Sequence, residues 1–399
     1  MPELRFPGFE GEWEEKKLGN LTTKIGSGKT PKGGSENYTN KGIPFLRSQN
    51  IRNGKLNLND LVYISKDIDD EMKNSRTYYG DVLLNITGAS IGRTAINSIV
   101  ETHANLNQHV CIIRLKKEYY YNFFGQYLLS RKGKRKIFLA QSGGSREGLN
   151  FKEIANLKIF TPTIFEEQQK IGKFFSKLDR QIELEEQKLE LLQQQKKGYM
   201  QKIFSQELRF KDENGEDYPD WENSKIEKYL KERNERSDKG QMLSVTINSG
   251  IIKFSELDRK DNSSKDKSNY KVVRKNDIAY NSMRMWQGAS GKSNYNGIVS
   301  PAYTVLYSTQ NTSSLFIGYK FKTHRMIHKF KINSQGLTSD TWNLKYKQLK
   351  NINIDIPVLE EQEKIGDFFK KMDILISKQK MKIEILEKEK QSFLQKMFL

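Results

Sequence analysis

The sequence predicts a mixed α/β protein: two globular α/β modules joined by two long helices that form an antiparallel coiled coil. Three observations carry this expectation. The stretch Glu166 to Phe204 recurs as Glu360 to Phe398 at a constant offset of 194, with Pro162 and Pro357 just upstream. The segments outside these stretches repeat a common order of apolar runs and turns. The excess positive charge lies in the two globular segments and not in the helices. The expected boundaries are 1–162 and 208–357 for the modules, 163–207 for the central helix and 358–399 for the C-terminal helix.

The helices follow from periodicity. In the first copy Leu178, Ile182, Glu185, Leu189, Leu192, Lys196, Tyr199 and Ile203 step by threes and fours. In the second copy Met372, Ile376, Gln379, Ile383, Leu386, Lys390, Phe393 and Met397 take the same steps. That spacing builds one stripe along a helix, and a stripe needs a partner. Each copy is the best partner for the other. A compact module has its ends close together, so the second helix should turn back antiparallel to the first. Parallel pairing would also set Lys196 against Lys390 in the seam. The expected register has partner numbers summing to 575. It faces Glu185 with Lys390, Lys196 with Gln379, Leu189 with Leu386 and Ile182 with Phe393. Phe175 and Phe369 fall beside the seam and are expected to pack within the chain.

The modules follow from their short apolar runs. Residues 43–46, 81–84 and 110–115 read as strands in the first, and 117–140 as a helix packed on them. Residues 243–247, 277–280 and 303–307 repeat the order, followed by a helix within 314–331.

Charge points to the partner. The net charge is +19. Residues 1–162 hold 25 basic and 16 acidic residues, and 208–357 hold 26 and 17, so each module carries +9. The helical segments are nearly neutral. Two basic modules on a neutral spacer suggest two attachment points on one polyanion. The single cysteine, Cys111, excludes an internal disulfide framework and fits a reducing cytoplasm. No apolar run approaches the ~18 residues of a membrane span, so no membrane partner is expected.

Catalytic motifs fail on their spacing. Gly26-Ser27-Gly28-Lys29-Thr30 resembles the end of a phosphate-cradling loop, but Thr23 stands where the first glycine is required. His324 and His328 lie four apart, but Arg325 replaces the glutamate a zinc hydrolase needs. Cys111 lies in an apolar run, where a thiol acts as a small hydrophobe. No proline adjoins another, so an adenine-methylase Asn/Asp-Pro-Pro-aromatic motif is absent. Neither a catalytic residue nor a metal site is expected.

What remains are polar and basic side chains on loops, the residue types that contact base edges and phosphates. In the first module these are Lys24, Lys29, Thr30, Lys32, Arg47, Ser48, Gln49, Asn50, Asn85, Arg93, Gln108 and Arg146. In the second they are Arg274, Lys275, Asn281, Arg284, Trp286, Gln287, Lys292 and Ser339. Double-stranded DNA is the expected ligand.

Several ordered stretches then resemble the specificity subunits of type I restriction-modification enzymes. They include Gly28-Lys29-Thr30-Pro31, Ile43-Pro44-Phe45-Leu46-Arg47-Ser48, Gly88-Ala89-Ser90-Ile91-Gly92-Arg93 and Asn107-Gln108-His109. In the second module Tyr280 to Ala289 and Ile298 to Tyr303 resemble a different recognition subtype. Pro357 to Gln362 resembles the family's entry to its long helix; the first copy carries one inserted residue there. The resemblance implies two target-recognition domains, each reading half of a bipartite site. It implies a non-catalytic chain that binds no cofactor. Two methylation subunits would bring S-adenosylmethionine, and two restriction subunits ATP and Mg. The rival classes are a self-contained restriction or methylation enzyme and a coiled-coil protein that binds DNA without sequence preference.

Overall fold

A computed structural model describes residues 2–141, 148–257, 266–339 and 341–398. The chain forms two compact units, Met1–Gln187 with Lys380–Leu399, and Lys188–Gln379. Each unit therefore combines a globular module with part of both long helices.

In unit 1 the apolar runs become a four-stranded antiparallel sheet in the order Thr22–Ser27, Val110–Leu115, Val82–Asn85, Thr94–Ile96. Residues 110–113 are all buried, because the sheet is covered on both faces. One face carries Val82, Leu84, Cys111 and Ile113 against the helix Tyr121–Leu129 and the long helices. The other carries Leu83, Val110 and Ile112 against a second sheet, ordered Val62–Ile64, Ile43–Leu46, Ala104–Leu106, Arg76–Thr77. Cys111 is fully buried, and desolvation pushes its thiol up to about 12. It packs as a hydrophobe.

Unit 2 repeats the sheet with the order Leu230–Glu232, Tyr303–Ser308, Ile278–Asn281, Ser290–Lys292. The repetition extends to single side chains. Glu167 is fully buried, accepting from Arg5 Nε at 2.6 Å and Trp13 Nε1 at 3.3 Å. Glu361 accepts from Arg209 Nη2 at 2.7 Å and Trp221 Nε1 at 3.2 Å. Gln168 donates to the Pro162 carbonyl, and Gln362 to that of Pro357. Arg114 holds Asp81 at the sheet's end in unit 1, as Arg233 holds Asp277 in unit 2.

The expected helix over 117–140 is two helices, Tyr121–Leu129 and Arg131–Leu139. Ser130 breaks them: at ψ 162° it leaves the helical region, its hydroxyl donates to the Tyr127 carbonyl, and its oxygen caps Gly133 N. Gly133 suits the tight return, since a Cβ there would lie 2.1 Å from the Tyr127 oxygen. Thr323 caps the second helix of the matching pair, Ser314–Lys320 and His324–Ile332.

The long helices are Phe165–Phe204 and Leu359–Met397, so the inserted residue before the first does not shift its start from the 194 offset. Within each unit they run antiparallel. In unit 1 Lys390 pairs with Asp179 at 2.5 Å, Glu185 with Lys382, and Phe174 meets Phe393 edge-on at 5.0 Å. In unit 2 Lys196 pairs with Asp373 at 2.5 Å, and Tyr199 meets Phe368 at 5.2 Å. Partner numbers sum to 567–569, not 575, so the direction holds and the register is one heptad off. A heptad shift still sets Leu178, Ile182, Glu185, Leu189, Leu192 and Lys196 against seam positions of the second helix, and apolar spacing alone does not separate the two registers. The choice falls to Asp179 and Asp373, one residue outside the seam, which take the lysines expected to face Glu185 and Gln379. Phe175 stacks on Phe398 and Phe369 on Phe204, inside their own units.

Candidate nucleic-acid interface

At one end of the unit 1 sheet four loops are tied into a single surface. The turn after Thr22–Ser27 lies against the backbone of Leu106 and Asn107, with Lys29 N donating to the Leu106 carbonyl at 2.9 Å. Gly28 is required there, because a Cβ would fall 1.8 Å from the Leu106 oxygen. Asn107 N donates to the Leu46 carbonyl, which brings in the loop at 47–50. Asn85 Nδ2 donates to the Ser48 carbonyl at 2.9 Å and to Ser90 Oγ at 3.1 Å, which fixes the turn 85–93. Thr87 Oγ1 and His109 Nδ1 are 2.7 Å apart, and Leu149 N closes onto the Ile86 carbonyl.

This arrangement sorts the expected contact residues. Lys29, Lys32, Gln49 and Gln108 are exposed on these loops, and Thr30, Ser48 and Arg93 are half-buried there. Arg93 has no side-chain hydrogen bond or ion pair among the described residues, which leaves its guanidinium available. Arg47 is partly spent, donating to the Asp60 carbonyl and lying over the Tyr38 ring. Asn50 and Asn85 are fully buried. Asn50 bonds Arg47 N and the Asn57 carbonyl, so both asparagines shape loops and reach no ligand with the groups bonded here. Lys24 is separated from the rest. It is level with Arg114, beyond the opposite end of Val82–Asn85, and donates to the Asn74 carbonyl. Arg146 lies outside the described residues.

Unit 2 builds the matching turn with different chemistry. Asn281 N bonds the Ala289 carbonyl across the turn, and Leu344 N closes onto Ser282 as Leu149 does onto Ile86. Asn281 Oδ1 accepts from Met283 N, so it shapes the turn. Arg284 is exposed with no side-chain partner among the described residues. Trp286 is held by its Nε1 bond to the Met283 carbonyl and by an edge-on contact with Trp342 at 5.2 Å. Gln287 is half-buried beside it, and Ser339 is exposed on the neighbouring turn. Trp342 escaped the sequence reading; an aromatic among Gly, Ser and Thr in a turn was its signal. Arg274, Lys275 and Lys292 are not part of this cluster. Lys292 pairs in register with Ile278, at the far end of the strand whose near end is Asn281. Arg274 is paired with Glu235.

The surface presents cations and amides on hydrogen-bonded turns, with no assembled nucleophile or base among the described residues. No group of three or more metal-ligating side chains occurs among the described residues. His324 and His328 lie on the helix His324–Ile332, and Arg325 between them pairs with Asp355 at 3.2 Å. Among the described residues no helix is long and apolar enough to cross a membrane.

Known proteins agree with this geometry. The family model for the type I restriction modification DNA specificity domain matches twice, over residues 10–194 and 218–388. A putative type I restriction enzyme MjaX specificity subunit of Methanocaldococcus jannaschii is 25% identical, over 96% of this chain and 92% of its own length. The EcoBI specificity subunit of Escherichia coli is 33% identical over 133 residues, 33% of this chain and 27% of that protein. Among solved structures, the S subunit from M. genitalium has the same fold, with a TM-score of 0.61 at 14% identity over 100% of this chain and 99% of that one. A chain from a type I R-M system, solved in work on complex assembly and conformational transition, gives 0.56 at 15% identity over 96% and 97%. Two matched domains, a fold shared end to end and paired loop surfaces place the chain in the type I restriction-modification DNA specificity family, as a specificity subunit whose part is recognition and not catalysis.

Proposed function

We propose that residues 1–162 and 208–357 are two target-recognition domains, each reading one half of a bipartite duplex DNA site. The observation that carries this reading is the twin turn: residues 85–93 and 281–289 follow equivalent strands and are closed by equivalent leucines, yet differ in side-chain chemistry. A common frame with different contact groups is what two independent half-sites require. Lys29, Lys32, Gln49, Arg93 and Gln108 serve one half, and Arg284, Trp286, Gln287 and Ser339 the other. Arg suits a bidentate contact to guanine and Gln to adenine, while the lysines hold phosphates.

The chain works in a complex with methylation and restriction subunits, two of each. S-adenosylmethionine is bound by the former, ATP and Mg by the latter. All act in the cytoplasm, where the DNA is. Replacing residues 208–357 by those of a relative and mapping methylated adenines tests the reading. One half of the methylated motif should change and the other persist. A change in both halves, or in neither, would refute it.

A further inference from the structure

The two units differ in the space between the outer sheet strand and the long helices. In unit 1 this space is filled by the chain itself. Gly54 N bonds the Thr94 carbonyl on the outer strand, and Lys55 pairs with Glu186 on the helix at 2.5 Å. Gly54 sits so close that a Cβ would meet Leu129 at 3.2 Å and Lys390 Nζ at 3.6 Å. In unit 2 the matching space is an open groove of about 2410 Å³. Its walls are the strand Ser290–Lys292, the helix Ser314–Lys320 and the facing turns of both long helices.

The groove is strongly basic. Lys197, Lys275, Lys292, Lys322, Arg325 and Lys370 line it. Its carboxylates are largely spent: Asp277 is held by Arg233, and Asp373 by Lys196 and Tyr319. Burial, then the neighbouring charges of Lys370 and Lys275, hold the Lys292 ammonium below its usual range. Lys320 adds an independent sign. It lines the groove, is only 2% exposed, and its ammonium makes no hydrogen bond or ion pair among the described residues. Its ammonium rests 4.7 Å from the Trp221 ring centre and 5.3 Å from that of Phe204. The acid that favours its charge, Asp355, is paired with Arg325, and the charges of Arg325 and Lys329 oppose it. A buried ammonium with no carboxylate in contact is costly unless an anion reaches it.

We propose that this groove docks an acidic segment of a partner protein. The volume exceeds the roughly 300–1,000 Å³ of a small-molecule site. The filled twin in unit 1 demonstrates that a short run of polypeptide fits between strand and helix. The DNA being read is not the occupant, because Lys292 lies at the opposite end of the strand from residues 281–287. Lys320 and the rim lysines supply charge complementarity, which sets partner choice and encounter rate.

The test uses the full chain and a fluorescein-labelled poly-glutamate peptide of about twelve residues, followed by anisotropy at about 0.15 M salt. Reversal of the rim, with Lys275→Glu, Lys292→Glu and Lys370→Glu together, should weaken binding at least ~10-fold. An equal reversal on the unit 1 helix, at Lys132, Lys134 and Arg135, should change it less than ~2-fold. Equal losses from both would show a response to net charge alone and overturn the proposal. A random duplex of about 30 base pairs should not displace the peptide. Displacement, with parallel loss of peptide binding in Arg284→Glu, would assign the groove to the DNA interface and also overturn it. Should the triple variant not fold, Lys320→Met decides alone: a loss of at least ~3-fold supports docking, and unchanged affinity refutes it. The half-site exchange is scored separately, so either idea can fail without the other.

Discussion

Unit 1 and unit 2 share their scaffolding bonds and differ where they would meet other molecules. The Arg–Trp–Glu cluster at the long-helix entry, the Arg–Asp clamp on the sheet and the leucine that closes the turn occur in both. The turn chemistry, and the filled or open space beside the outer strand, do not. In such a pair, repetition marks what the fold needs, and divergence marks what a ligand selects. This separates two roles that a single module would leave mixed, as with Asn85 and Asn281. Both are polar, both end equivalent strands, and both bond groups of their own unit.

The largest expected effect probes the shared part. Glu167→Ala and Glu361→Ala each remove the buried carboxylate that an arginine and an indole N–H bond. Each should cost roughly 3–5 kcal/mol, measured by chemical denaturation of the full chain. Similar losses from both keep the equivalence; a loss confined to one breaks it. Next come the divergent turns. Arg284→Ala and Arg93→Ala should each cost about 1–3 kcal/mol of DNA affinity, with relaxed discrimination in a different half of the site. A loss uniform across all sequences would demote either residue to a phosphate contact.

A smaller effect should appear on raising pH. In unit 2 burial holds Lys320 and Lys322 at about 8, against an ordinary value near 10.5. Unit 1 has Tyr127 and Leu129 just before its Ser130 cap, and Lys320 and Lys322 just before Thr323 are their counterparts. A lysine whose folded pKa is lowered binds fewer protons folded than unfolded between the two values, so stability rises with pH across that window. From pH 8 to 9 the gain is about 1 kcal/mol per lysine. Amide exchange corrected for its intrinsic pH dependence should report it in unit 2, and Lys320→Met should remove its share. The smallest effect sharpens the register. Cysteines placed at 182 and 386 should crosslink more readily than cysteines at 182 and 393; the reverse preference would restore the register expected from the seam alone.

Architecture was legible because it rests on repetition. An offset of 194 exposed the helices, and the apolar runs around Val82 and Val110 exposed the sheet without any knowledge of pairing. The register was not legible from the seam, since Asp179 and Asp373 act from beside it. The contact residues were only partly legible. Lys24 and Lys292 lie near loop residues in sequence, but each is carried to the other end of its sheet by a strand of a few residues. Asn50 reads as an exposed amide, and its burial depends on Asn57, seven positions away across a turn. Ser130 reads as one more polar residue in a helix, and only its ψ reveals the break.

The aromatic core of unit 1 also has a bearing on how the chain is made. Leu394, Met397 and Phe398 pack among Phe123, Tyr127 and Phe175, and Leu4 N bonds the Lys396 carbonyl. Unit 2 is a single run from Lys188 to Gln379. During synthesis the ribosome therefore delivers all of unit 2 before it delivers the residues that close unit 1. Of these two modules the one that emerges earlier finishes later, and until residues 380–398 arrive Phe175 lacks the Phe398 ring it stacks on and Phe123 the same ring it meets at a tilt. Over that interval the nascent chain offers chaperones an aromatic surface on its older half, while its younger half is already able to fold.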